Sequence, residues 1–241
     1  YVCPGTSSWN TLTGRWDNMM GNIRNAAENG LQYGALGLLN TDWGDNGHSQ
    51  ALPFSLPGFA YGAALAWGVA VNRDLDLPAA LDRFAFEDSA GVMGALMQRL
   101  GRLYLLPGQA EPNNHMLVRL LKADQSKLAA MREKYLAAGH PPEAFAAMLD
   151  ELDACETDLA RAQMQAADSE LVQREVLLAI DWLRHAARQA QRALGVIDTS
   201  WDVLNDEQPR LIARYRDVWL ARNRPGGLKD SMRQFAPRSE A

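Results

Sequence analysis

Ala35-Leu36-Gly37-Leu38-Leu39-Asn40-Thr41-Asp42-Trp43-Gly44-Asp45-Asn46-Gly47-His48 is an apolar run that breaks abruptly into a polar loop. The run Ala35 to Leu39 is short and bounded by glycine, which suits a strand buried on both faces better than one with strict alternation. Five polar side chains then crowd around Trp43, with Gly44 and Gly47 freeing the backbone for a tight turn. Parallel α/β folds place their ligand sites in such loops, at the carboxyl ends of strands.

Working outward, Tyr1 to Asn10 repeats the pattern: an extended run, then small polar residues, then Trp9. Between the two runs, Trp16, Met19, Met20, Ile23, Ala26, Ala27 and Leu31 recur at helical spacing, and Gly34 stands as the stop. After the Trp43 loop, Pro57 to Val71 reads as one apolar helix. The order strand, helix, strand, helix implies parallel strands with helices outside. Two buried strands cannot close a core, so residues 1–72 read as part of a larger sheet completed by other polypeptide. Tyr1 opens directly into the first run without a targeting pattern, and the chain reads as a piece of something longer.

Beyond Asn72-Arg73-Asp74 the composition turns to Ala, Leu, Gln, Arg and Glu, and residues 73–241 are expected to be all helical. Candidate helices run from Asp88 to Leu106, Asn113 to Leu136, Pro142 to Leu159, Asp168 or Ser169 to Leu194, Asp206 to Ala221 and Gly227 to Phe235. The whole is mostly helical.

The 241 residues are 47% hydrophobic and 22% charged, the profile of an ordinary folded protein, and no apolar run reaches membrane-spanning length. A net charge of −5 argues against a nucleic-acid surface, and the basic C-terminal end reads as a solvated helix face. Neither a nucleic-acid nor a membrane partner is expected. Cys3 and Cys155 are far apart and read as reduced, buried thiols.

Several chemistries fail on the polar loops. Gly5-Thr6-Ser7-Ser8-Trp9 lacks the second glycine of a nucleophile elbow. Asp42 to His48 has Gly44 and Pro53 where a calcium loop needs ligands, so no metal is expected. No phosphate-binding glycine motif occurs, and no cofactor is expected. Sugar recognition fits better: an indole packs on the C–H face of a pyranose while a carboxylate two residues on accepts hydroxyl hydrogen bonds. Trp43, Asp45 and Asn46 are the candidate substrate-binding residues, with Trp9 a weaker fourth. The plainer alternative makes Trp43 a core residue, Asp45 a turn former and His48 a satisfied loop histidine.

Cys3 to Asn10, Asn22 to Gly30, Asn40 to His48, Pro57 to Gly62 and Trp219 to Leu228 together resemble bacterial β-N-acetylhexosaminidases of glycoside hydrolase family 20. The resemblance implies an α/β barrel fragment, the last two βα units of a TIM barrel, followed by a helical C-terminal domain. The remainder of that barrel would be a partner, together with an N-acetylhexosaminide or other carbohydrate substrate. It also implies substrate-assisted, retaining removal of terminal N-acetylhexosamine by an Asp-Glu pair on an earlier strand. No catalytic residue is placed in this chain, because Asp150-Glu151 and Asp206-Glu207 lie in helix contexts. Trp43 and Asp45 match the family's tryptophan and acid at the end of the last strand. A helical interaction or oligomerisation module without catalytic role is the alternative.

Overall fold

The computed structural model describes residues 1–44, 47–108 and 113–235. Among these the chain forms eleven α-helices joined by loops and short 3-10 turns, with no strand and no sheet. The expected barrel fragment, the last two βα units of a TIM barrel, is therefore not what the N-terminal region forms; the all-helical expectation for the rest agrees.

The reason lies in one rung. Residues 2–6 and 37–41 run parallel and exchange four backbone hydrogen bonds: Val2 N–H to Gly37 O (3.1 Å), Leu39 N–H to Val2 O (2.9 Å), Thr41 N–H to Pro4 O (2.8 Å) and Thr6 N–H to Thr41 O (2.9 Å). A regular parallel ladder would add a bond from residue 4 to the Leu39 carbonyl, but Pro4 has no N–H. Two isolated bridges, Val2 to Leu38 and Gly5 to Thr41, remain in place of a strand pair. Leu36 and Leu39 are exposed, so the apolar run is not buried on both faces as expected.

Helix α1 (Trp16–Gln32) buries Trp16, Met19, Ile23 and Ala27 at three- and four-residue spacing, as its pattern predicts. The single helix expected over Pro57 to Val71 is two, α2 (Leu56–Trp67) and α3 (Val69–Asn72), broken at the extended Gly68. Helix α4 (Leu77–Phe84) was not anticipated; Asp76 caps it by accepting from Ala79 N–H, and Pro78 pre-sets its first turn. Helix α5 (Met93–Arg102) is a shortened form of the Asp88 to Leu106 candidate.

The helix expected over Asn113 to Leu136 also divides, into α6 (Met116–Lys122) and α7 (Gln125–Ala137), with Asp124 capping the second. Helix α8 (Ala144–Leu159) follows, then the long α9 (Ser169–Leu194), which ends at Gly195. Asp168 precedes α9 but gives it no cap bond; its carboxylate pairs with Arg222 at 2.8 Å instead. The last helices are α10 (Trp201–Arg222) and α11 (Leu228–Met232).

Helix α9 is the central post: α6, α7, α8 and α10 all pack on it. The N-terminal helices join the same core, α1 against α5 and α2 against α4, so packing crosses the boundary drawn at residues 72 and 73. Cys155 is fully buried and its thiol is pushed up to about 12 by burial, whereas Cys3 is exposed, against expectation. Among the described residues no helix is long and apolar enough to cross a membrane.

Candidate functional site

The short parallel pairing positions the polar loop. Thr41 Oγ1 donates to the Pro4 carbonyl at 2.8 Å and accepts from the Trp43 indole Nε1 at 2.8 Å, so the ladder itself holds the tryptophan. The indole is 56% exposed: Trp43 is not a core residue. Asp45 and Asn46 lie outside the described residues.

Asp42 is the hub. Its Oδ1 accepts from the hydroxyls of Thr6, Ser8 (2.6 Å) and Ser55 (3.1 Å), and its Oδ2 faces His48 Nε2 at 3.1 Å. Burial alone would raise this carboxyl, but the hydrogen bonds from His48, Ser8 and Thr6 outweigh it and hold the group at about 2. Burial would likewise depress His48. Both its ring nitrogens face acceptors, Asp42 Oδ2 and the Gln50 carbonyl (3.1 Å), and these raise it above its ordinary value. The imidazolium is thus the form that satisfies both contacts.

Ser8 sits between two non-glycine residues in the left-handed region, Ser7 (φ 58°) and Asn10 (φ 53°). Ser7 is completely buried and donates to Asn18 Oδ1 at 2.7 Å, which helps hold this uncommon backbone. Trp9, beside them, is half-buried. Its ring lies under the Arg15 guanidinium, 5.1 Å from the centroid, and its six-membered ring rests on Gly5. Trp9 therefore has less free face than Trp43.

The loop's far end is fixed by the C-terminal segment. Tyr215 Oη lies 3.4 Å from the carbonyls of His48 and Ser49, and its ring packs on Phe235. Gly47, at φ 102°, lets the loop backbone touch that of Asp230 and Ser231; a Cβ there would come within 2.7 Å of the Asp230 carbonyl. Between loop and segment opens a cavity of about 600 Å³. Gly44, Gly47 and His48 form one wall, Trp219 and Gly227 another, and Lys122, Asp230, Ser231 and Arg233 complete it. Its volume falls in the range of small-molecule sites, and it offers an aromatic surface, cationic donors and a carboxylate acceptor.

The structure thus brings together the Trp43 loop and the Trp219 to Leu228 block, some 170 positions apart in sequence. Sequence reading left Asp42 out of the site although it stands beside Trp43, and its run of partners at Thr6, Ser8 and Ser55 carried no local signal. Lys122, Asp230 and Arg233 were also missed, since only the packing of α6 and α11 delivers them. The two adjacent acid pairs are engaged elsewhere: Glu151 on α8 binds Arg99 at 2.6 Å, and Glu207 on α10 binds Arg188 at 2.8 Å. Among the described residues no cluster of His, Cys, Asp or Glu is arranged to hold a metal. No protein-family model matches the chain, and no curated protein matches it.

Proposed function

We propose that this chain supplies a carbohydrate subsite of a β-N-acetylhexosaminidase resembling family 20, binding terminal N-acetylhexosamine between the Trp43 loop and the C-terminal segment. The reading gives the chain a binding role, with the Asp-Glu pair of the substrate-assisted mechanism contributed by other polypeptide. What supports it most is the cavity of about 600 Å³ whose walls come from two of the sequence blocks that carry the resemblance. A sugar ring needs an apolar platform and both donors and acceptors, because each hydroxyl does both. Trp219 is the platform inside; Trp43 does not line the cavity but is exposed and precedes its wall residue Gly44 in the chain. Lys122 and Arg233 donate, and Asp230 accepts.

Titration of the chain with N-acetylglucosamine, followed by calorimetry and tryptophan fluorescence, tests this. A dissociation constant in the millimolar range is expected, weakened about 5- to 10-fold in Trp43→Ala through the lost aromatic contact. Absence of binding, or binding that Trp43→Ala leaves unchanged, would overturn the reading.

A further inference from the structure

Residues 55–72, which hold helices α2 and α3, contain no charged side chain, and neither do residues 31–41, which end α1 and enter the ladder. A helix that is apolar all round is ordinarily buried all round. Helix α2 is buried on two sides only. Gly58 and Gly62 lie on the ladder, where Asn40 Nδ2 donates to the Gly58 carbonyl at 2.8 Å, and Tyr61 and Leu65 enter the core. The remaining side, Ala63, Ala66 and Trp67, is exposed at three- and four-residue spacing, and Ala70 and Val71 of α3 are exposed beyond it. Trp67 at 91% and Leu36 at 88% are the most exposed large apolar side chains among the described residues.

The chain under α2 is open at its outer edge. Residues 37, 39 and 41 face residues 2–6, so Leu38 and Asn40 turn their N–H and C=O groups outward. Among the described residues none of these four groups has a hydrogen-bond partner. Leu36 and Leu39 stand exposed along the same segment, and no charge or proline blunts it.

An open backbone edge calls for an extended segment, and an uncharged apolar helix face calls for another of its kind. A second copy of the chain presents both. A two-fold axis at the edge sets residues 36–41 of the two chains antiparallel and brings the two α2 helices together, where Ala63 and Ala66 admit close approach. A face without charge does not repel its own copy, although each chain carries −5. Trp67 contributes about 200 Å², and with Val71, Leu36, Leu39, three alanines and the strand backbone the face comes to about 800 Å², the share one partner buries in a standard stable complex.

We propose that the open edge of residues 36–41 and the exposed face of α2 and α3 form an isologous dimer interface between two copies of this chain. The cavity residues lie outside this face, so the proposal holds or fails independently of the carbohydrate reading.

Sedimentation velocity of the full chain should give twice the 26.6 kDa of one chain at micromolar concentrations. Trp67→Glu should weaken association by about 30-fold or more and leave the far-ultraviolet circular dichroism spectrum unchanged, because the indole is exposed in the single chain. Hydrogen exchange on the unaltered chain reads the strand pairing and needs no variant: the Leu38 and Asn40 amides should exchange about 10-fold faster on dilution to single chains. A single-chain mass at about 100 μM, which would leave the face to a different polypeptide, would overturn the proposal. So would a dimer that Trp67→Glu leaves intact, a mass that keeps growing instead of closing at two chains, or Leu38 and Asn40 amides that exchange alike in dimer and single chain.

Discussion

At the scale of single residues the site rests on Asp42, a carboxylate that gathers three hydroxyls and an imidazole from three separate stretches of chain. Its folded value of about 2 lies below the ordinary 3.8, so it contributes stability that is complete above about pH 4 and is lost as pH falls through about 2. At 1.36 kcal/mol per unit that contribution is about 2 kcal/mol. His48 is shifted the other way: its contribution is complete below about pH 6.5 and fades as pH rises through its raised value. The pair should therefore stabilise most between about pH 4 and 6.5. Melting curves of the chain and of Asp42→Asn across pH 2 to 9 measure it: the difference should peak in that window at about 2–4 kcal/mol, since Asn also strands a hydroxyl. A difference independent of pH would show that the ion pair contributes nothing. Trp43, by contrast, is mostly exposed, and Trp43→Ala should leave Tm within about 2 °C.

At the scale of elements, apolar periodicity made α1, α8 and α9 legible, because each buries one regular stripe against the core. The parallel direction of the pairing was legible, but its register and its extent were not. Its loss of strand character follows from Pro4, whose missing N–H is a property of the sequence that the apolar runs outweighed. Helices divided where tertiary packing needed a corner: Gly68 ends α2, and Asp124 begins α7 by accepting from Lys127 N–H at 2.9 Å. The start of α10 at Trp201 was hidden by Pro209, which the helix accommodates in its interior. Helix α2 meets the ladder so closely that a Cβ on Gly58 would lie 2.8 Å from Thr6 Cα. Gly58→Ala should cost about 1–3 kcal/mol and push Thr6 away from Asp42, read as a lower Tm together with a shallower acid transition. An unchanged Tm would mean that α2 can slide off the ladder freely.

Across the whole molecule, residues distant in sequence meet on α9 and around the cavity. Arg222 grips Glu175 through two 2.8 Å bonds and Asp168 through a third, tying the end of α10 to the start of α9. Glu175 is 3% exposed, so Arg222→Ala would strand a buried carboxylate and should cost about 3–5 kcal/mol, measured by urea unfolding. A loss below about 1 kcal/mol would show that Glu175 finds another partner or protonates freely. The candidate site was legible only in half: Trp43 and its loop stand out in the sequence, whereas the opposite wall depends on how α10 and α11 return to Gly47. Carbohydrate binding in that cleft is the central claim. A crystal structure of the chain soaked with N-acetylglucosamine tests it most directly: the account predicts a sugar ring stacked on tryptophan between the Trp43 loop and Trp219, and an empty cleft with the sugar bound elsewhere or nowhere would contradict it.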